Sequence, residues 1–369
     1  MRILFVSWRD LANPSAGGSE VVVDVLATSL RARGHEVSLL CGGPVAPRPY
    51  EVVDNGGKHT QYLRAPLAYL RRFRDVDLVV DVANGMTFMS PLWRRGPRVL
   101  FVHHVHTEQW GMYFPGPVAA VARQAEIHGL PALYRNTHMV AVSPSTGDEL
   151  EALGVDRSHI HVVNNGVHVE PLAEPVARSA TPMFVALGRL AANKRIDVLL
   201  DVWAKVAQRT GGKLVIVGDG PDAARIAARV RTEPALADVV LEGRVDEARK
   251  AELLHQSWFL LHAAEREGWG LAILEAGVCG TPSLAYRVPG VRDAVVDGVT
   301  GVLVDTDDQL AEEWVALADA PARREALGRA AAMRAAEFTW EAAVEGFLEV
   351  AELAIASHGT AATKHRVAS

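Results

Sequence analysis

The chain has 369 residues, 49% of them hydrophobic and 22% charged, enough for two ordinary globular domains, each with its own core. A net charge of −6 argues against a broad nucleic-acid footprint, no run reaches the roughly 20 apolar residues of a membrane span, and two cysteines, Cys41 and Cys279, make no disulfide framework. The apolar stretch in the opening "MRILFVSWRD" is too short for a signal-peptide core, so a cytoplasmic location is expected.

Along the chain, short β-branched runs alternate with amphipathic segments, the pattern of βαβ units around parallel sheets. "RILFVS", "EVSLLC", "VDLVVDV", "RVLFVH", "HMVAVS" and "IHVVNN" read as strands of a first domain, 1–172. The basic clusters "LRRFRD" around Arg71 and "WRRGPR" around Arg94 are either solvated surface or a face for peripheral contact with the inner face of an anionic membrane, or with an acceptor. "EPLAEPVARSATP", Glu170 to Pro182, lacks either period and reads as an interdomain linker. A second domain, 173–350, repeats the style with "PMFVALG", "KLVIVG", "VVLEG", "WFLLHA", "PSLAY" and "TGVLV". A last amphipathic helix opens at Thr339 and is expected over 339–357 to pack back on the N-terminal domain, and the last ten residues of the chain are expected to fray.

Two Rossmann-like domains with parallel sheets facing across a cleft place ligands beyond the carboxyl ends of the strands, and three motifs fall in such loops. In "SWRDLANPSAGGSE", Gly17 and Gly18 either let backbone amides approach an anion at a helix N-terminus, or merely form a turn with Ser19 as the cap. The loop is too long for a dinucleotide fingerprint, which counts against an NAD enzyme. In "GRLAANKRID", Arg189 and Lys194 are paired cations of the kind a diphosphate needs; the alternative is an exposed helix start. In "EREGWGLAILEAGVCGTP", Glu267 precedes a helix and Glu275 lies about 1.5 turns inside it, among glycines and apolar residues where a carboxylate needs a partner. Gly268 and Gly270 leave backbone amides open toward a phosphate.

Glu267, seven residues, then Glu275 resembles the E-x7-E element of the retaining GT-B glycosyltransferases of family 4. "GRLAANKRID" is similar to that family's phosphate segment, "VGDGP" to its next loop and "NNGVH" to its "PNGVD"; "GGSE" and "FTWE" also match, so the resemblance spans nearly the whole chain. The resemblance implies that Glu275 binds the donor ribose and that Glu267 lies beside the transferred sugar. It implies further that Arg189 and Lys194 hold the diphosphate, helped by backbone amides of Gly268, Trp269, Gly270 and Leu271 and of the Gly17–Gly18 loop. The nucleobase would lie near Gly218 and Arg244. Arg195 stands where the family usually has Gly, and His168 where it has Asp.

Three histidines crowd into "FVHHVHTEQW" at a strand end. The spacing lacks the usual metal-site pattern, and no D-x-D stands where a metal-dependent GT-A enzyme needs one, so no metal and no cofactor are expected. The resemblance points to a histidine contacting the transferred sugar; His103 and His106 both follow valine, with His106 favoured, and His104 reads as structural.

The expected activity is metal-independent, retaining transfer from a UDP- or GDP-sugar to an unknown glycan, lipid or small-molecule acceptor. A UDP-sugar epimerase of the same architecture and a sugar-nucleotide-binding protein without turnover are the alternatives.

Overall fold

The computed structural model describes residues 1–14 and 16–367, with the side chains of Tyr113 and of 360–367 outside the described set. By its internal contacts the chain forms two units, Met1–Asn165 with Trp340 onward, and Gly166–Thr339.

Among the described residues the first unit carries a seven-stranded parallel sheet: β1 Arg2–Arg9, β2 Glu36–Gly42, β3 Glu51–Asp54, β4 Leu78–Asn84, β5 Arg98–His104, β6 His138–Ala141 and β7 Ile160–Val162, in the order β3-β2-β1-β4-β5-β6-β7. The central strands are near-continuous apolar runs because helices cover both sheet faces. Strand β3 escapes the sequence reading: "EVVD" is four residues with charged ends, and it survives at the sheet edge by pairing with β2 alone. The helix Trp340–Val367 belongs to this unit. Its fully buried Phe347 stacks on Phe5 of β1 at 5.8 Å and lies 6.4 Å from Phe101 of β5. Aromatic pairs of this kind add about 0.5–1.5 kcal/mol beyond the area they bury. The last ten residues, expected to fray, continue this helix as far as Val367, and residues 368 and 369 lie outside the described residues.

The second unit's sheet, six-stranded among the described residues, runs β8 Met183–Leu187, β9 Lys213–Val217, β10 Val239–Gly243, β11 Phe259–His262, β12 Ser283–Tyr286 and β13 Gly301–Val304, in the order β10-β9-β8-β11-β12-β13. Trp203 of the helix Ile196–Thr210 and Trp314 of the helix Asp307–Ala318 pack on each other and on Phe184, fully buried, and close one face. The Pro/Ala-rich stretch read as a linker has no regular structure, but Arg178 fixes it to the second unit. Its guanidinium donates to the Ser257 carbonyl, to Thr281 Oγ1 at 2.6 Å and to the Gly280 carbonyl at 2.9 Å.

In both sheets the strand order reverses beside the first strand, between β1 and β4 and between β8 and β11. Such switch points leave a crevice outside the carboxyl ends of the strands. Among the described residues no helix is long and apolar enough to cross a membrane.

Candidate active site

At the second unit's switch point the loops after β8 and β11 are tied together by a backbone hydrogen bond from Glu265 N–H to the Asn193 carbonyl at 2.9 Å. Gly188, Arg189, Lys194, His262 and Ala263 line one groove there. Arg189 is exposed and Lys194 half-buried. Gly218, just after β9, packs against the loop after β8: a Cβ on it would lie 1.9 Å from the Gly188 carbonyl oxygen, at φ +134°. Its N–H is donated to the Gly243 carbonyl at 2.7 Å, so Gly218 serves by its shape and offers no open amide. Arg244 lies exposed beyond β10, two strands away from β8.

Glu267 is the centre of a charged trio. Its Oε2 accepts from Lys194 Nζ and lies 3.3 Å from Nε2 of the buried His262, the last residue of β11. Burial alone would raise the Glu267 carboxyl, but Lys194 and then His262 outweigh it and hold the group well below the usual carboxylate range. Lys194, read from the sequence as one of the cations facing a diphosphate, commits one of its three N–H groups to Glu267, which leaves two.

Past Glu267 the chain turns into the helix Leu271–Val278, whose N-cap Gly270 adopts φ +79°. The first amides of a helix lack intrahelical partners and carry its positive end. Gly290 supports this loop from behind, since a Cβ there would meet the Glu267 carbonyl oxygen at 2.2 Å. The Trp269 side chain is buried edge-on against Phe338 at 4.8 Å. Glu275 points its carboxylate to Lys250 Nζ at 2.8 Å, and Lys250 also reaches Glu247 at 2.6 Å. Burial raises the Glu275 carboxyl against the pull of Lys250. For Lys250, burial works against the charge, and Glu275 with Glu247 more than restores it.

Arg195 stands at a position whose backbone favours glycine. It adopts the left-handed conformation, φ 49° and ψ 42°, at the N-cap of the helix Ile196–Thr210. That backbone costs a side-chain-bearing residue about 1–2 kcal/mol. The guanidinium offsets this by lying 4.7 Å over the Tyr286 ring and 3.5 Å from Asp307.

In the first unit, the Gly17 N–H is donated to Glu20 Oε2 at 2.6 Å, while Glu20 Oε1 accepts from Arg9 Nε at 3.0 Å, with Arg9 and Glu20 both buried. The helix Gly18–Ala32 is thus capped through Glu20 rather than Ser19, whose Oγ instead accepts from Asn84 at 2.8 Å. The Gly17 amide is therefore not open to a phosphate. His103 lies within β5 beside Phe101, buried, its Nε2 without a hydrogen-bond partner among the described residues. Burial, with His106 adding, lowers its pKa to about 3, so the ring is neutral. His106 sits beyond the strand end, stacked on His104 at 3.9 Å and beside Trp110 at 5.5 Å.

Glu126, in the π-helical turn Ala125–Gly129, holds this loop. Its buried carboxylate accepts from the His106 N–H at 2.7 Å, Trp110 Nε1 at 2.8 Å and Thr107 Oγ1 at 3.1 Å. Glu126→Gln removes one accepting oxygen and leaves buried donors short of a partner, at about 1–3 kcal/mol each. The expected result is a drop in turnover of about tenfold or more with unchanged nucleotide affinity, and a changed Trp110 emission. Steady-state kinetics and fluorescence, with Trp110→Phe as the reference, check it; unchanged turnover and emission would exclude this role.

Two parallel-sheet Rossmann-like units, with a cation-lined groove at the second unit's switch point, define the GT-B architecture. The family description Glycosyltransferase Family 4 matches residues 16–171, and Glycosyl transferases group 1 matches residues 172–334. The chain belongs to these glycosyltransferases and is a transferase. The N-acetyl-alpha-D-glucosaminyl L-malate synthase of Bacillus anthracis is 26% identical over 80% of this chain and 82% of its own length. The D-inositol 3-phosphate glycosyltransferase of Mycolicibacterium smegmatis is 29% identical over 94% and 89%. Among solved structures, sucrose-phosphate synthase from Thermosynechococcus elongatus superposes with a TM-score of 0.81 at 18% identity, covering 96% of this chain and 99% of that one. Anabaena HepE in complex with UDP and glucose gives 0.74 at 16% identity, covering 95% and 98%.

Proposed function

We propose that this enzyme transfers a sugar from a nucleoside-diphosphate-sugar to an acceptor, keeping the anomeric configuration and using no divalent ion. The observation that carries the proposal is the groove at the β8/β11 switch point, where Arg189 and Lys194 stand together and Lys194 is bonded to Glu267. Breaking a glycosyl–phosphate bond builds negative charge on the leaving phosphate. The Arg189 fork, the two remaining Lys194 donors and the first amides of the helix Leu271–Val278 stabilise that charge without a metal. Glu275 takes the ribose hydroxyls, and the nucleobase lies toward Gly218 and Arg244. Attack on the same face as departure, with the leaving phosphate accepting the acceptor's proton, gives retention and requires no enzymic nucleophile. We assign the contact with the transferred sugar to His106, which stands beyond the strand end in a loop held by Glu126, rather than to His103 inside β5.

UDP and UDP-glucose complexes of HepE support a nucleoside-diphosphate donor. One relative is named for L-malate and another for D-inositol 3-phosphate, so the relatives agree on the transfer and differ in its partner. A thermal-shift screen of UDP-, GDP-, ADP- and dTDP-sugars, then an assay of nucleoside diphosphate release with candidate acceptors in EDTA, tests the proposal. The expected result is acceptor-dependent release that survives EDTA, and a product whose NMR keeps the donor's anomeric configuration. Activity lost in EDTA and restored by Mn²⁺, or an inverted product, would contradict it.

A further inference from the structure

The helix Thr60–Arg72 of the first unit is apolar on two faces, and only one of them is covered. Gln61, Ala65 and Tyr69 are buried against the sheet. At about 100° per residue, Leu63, Leu67 and Leu70 form a second stripe on the far side. These leucines are 84%, 47% and 52% exposed. An outward leucine stripe on a helix already anchored by its other face contributes nothing to the unit's core.

The charge around the stripe says what covers it. From Asn55 to Arg74 the chain carries Lys58, Arg64, Arg71, Arg72 and Arg74 and no acidic residue, in a protein whose net charge is −6. Arg72 is paired with Glu51, but Arg64, Arg71 and Arg74 are exposed and take part in no ion pair among the described residues. Arg64 and Arg71 fall beside the leucines on the helix surface. Leucines flanked by arginines on one outward helix face match an anionic lipid interface, where apolar side chains enter the acyl boundary and guanidinium groups stay among the headgroups. The helix also starts at the sheet's carboxyl end, where Lys58 lies 5.5 Å from the ring of Trp8 near the end of β1.

We infer that the face formed by Leu63, Leu67 and Leu70 with Arg64, Arg71 and Arg74 docks the enzyme reversibly on an anionic bilayer. Docking lays the helix Thr60–Arg72 along the lipid surface, with its first turn at the carboxyl end of the first unit's sheet and its last turn, where Arg72 pairs with Glu51, at the amino end. The inference is independent of the transfer reading, because it is tested by binding alone.

The experiment is co-sedimentation of the full chain with vesicles of phosphatidylcholine alone or mixed in equal parts with phosphatidylglycerol. The wild-type protein should pellet with the mixed vesicles, bind the neutral ones far less, and detach as salt is raised. R64Q/R71Q/R74Q should lose about fivefold in partitioning for each arginine removed. L63Q/L67Q/L70Q should lose about tenfold or more. Circular dichroism and the thermal midpoint show that both variants fold. Equal binding to both vesicle types, or folded variants that partition like wild type, would overturn the inference. So would a wild-type dimer by light scattering that the leucine variant dissociates without any vesicle binding, since the stripe's occupant would then be a second copy of the chain.

Discussion

Glu267→Gln is expected to lower kcat by about 10²–10³-fold while leaving affinity for a free nucleoside diphosphate within about twofold of wild type. Glu267 is held by Lys194 and His262 rather than exposed to the nucleotide, so its charge matters most when positive charge develops at the anomeric carbon. The amide keeps the shape and removes the charge. Lys194 then loses its carboxylate partner and remains available to the diphosphate, so nucleotide affinity is not reduced. The carboxyl is held below its ordinary value, so Glu267 stays ionised across any usual assay range and contributes no acid limb near pH 4.5. Its stabilising contribution is present above the unfolded value and is lost as pH falls through the lowered folded one. The difference in stability between wild type and Glu267→Gln should therefore be flat above about pH 5 and shrink below it. Thermal midpoints across pH, beside steady-state kinetics, check both statements.

Glu275→Gln should act on binding instead. A carboxylate that holds ribose hydroxyls serves ground and transition states alike, so its loss should weaken nucleoside diphosphate and donor binding by about 1–3 kcal/mol with a smaller effect on kcat. The variant also removes a buried partner of Lys250, which keeps Glu247. Burial raises the Glu275 carboxyl, so it takes up a proton at a higher pH than an ordinary glutamate. Wild-type nucleotide affinity should therefore fall as pH is lowered through that raised value, and Glu275→Gln should lack this fall. Titrations over a pH series separate the two profiles.

The strands and the order of the motifs were legible because parallel strands covered on both faces are apolar runs, and because chemistry in this architecture sits just after them. Residues whose role comes from contacts distant in sequence were not. Lys250 lies in "DEARKAELLHQ", an ordinary amphipathic helix until the fold brings it to Glu275, and His262 reads simply as the end of a strand. Glu126 belongs to no pattern, since its three donors lie 16 to 20 residues earlier. The use of the Gly17 amide was readable in principle: a Glu three residues after the cap is a capping-box signal, and "GGSE" contains it. The left-handed backbone at Arg195 was marked only by the glycine that the family resemblance implies there.

Calorimetric titration of UDP and GDP against wild type, Glu267→Gln and Glu275→Gln tests the division of labour between the two glutamates most directly. One site per chain in wild type, retained in Glu267→Gln and weakened about 5–150-fold in Glu275→Gln, is the predicted result. Absence of nucleotide binding in the wild-type protein, or an equal loss in both variants, would contradict it.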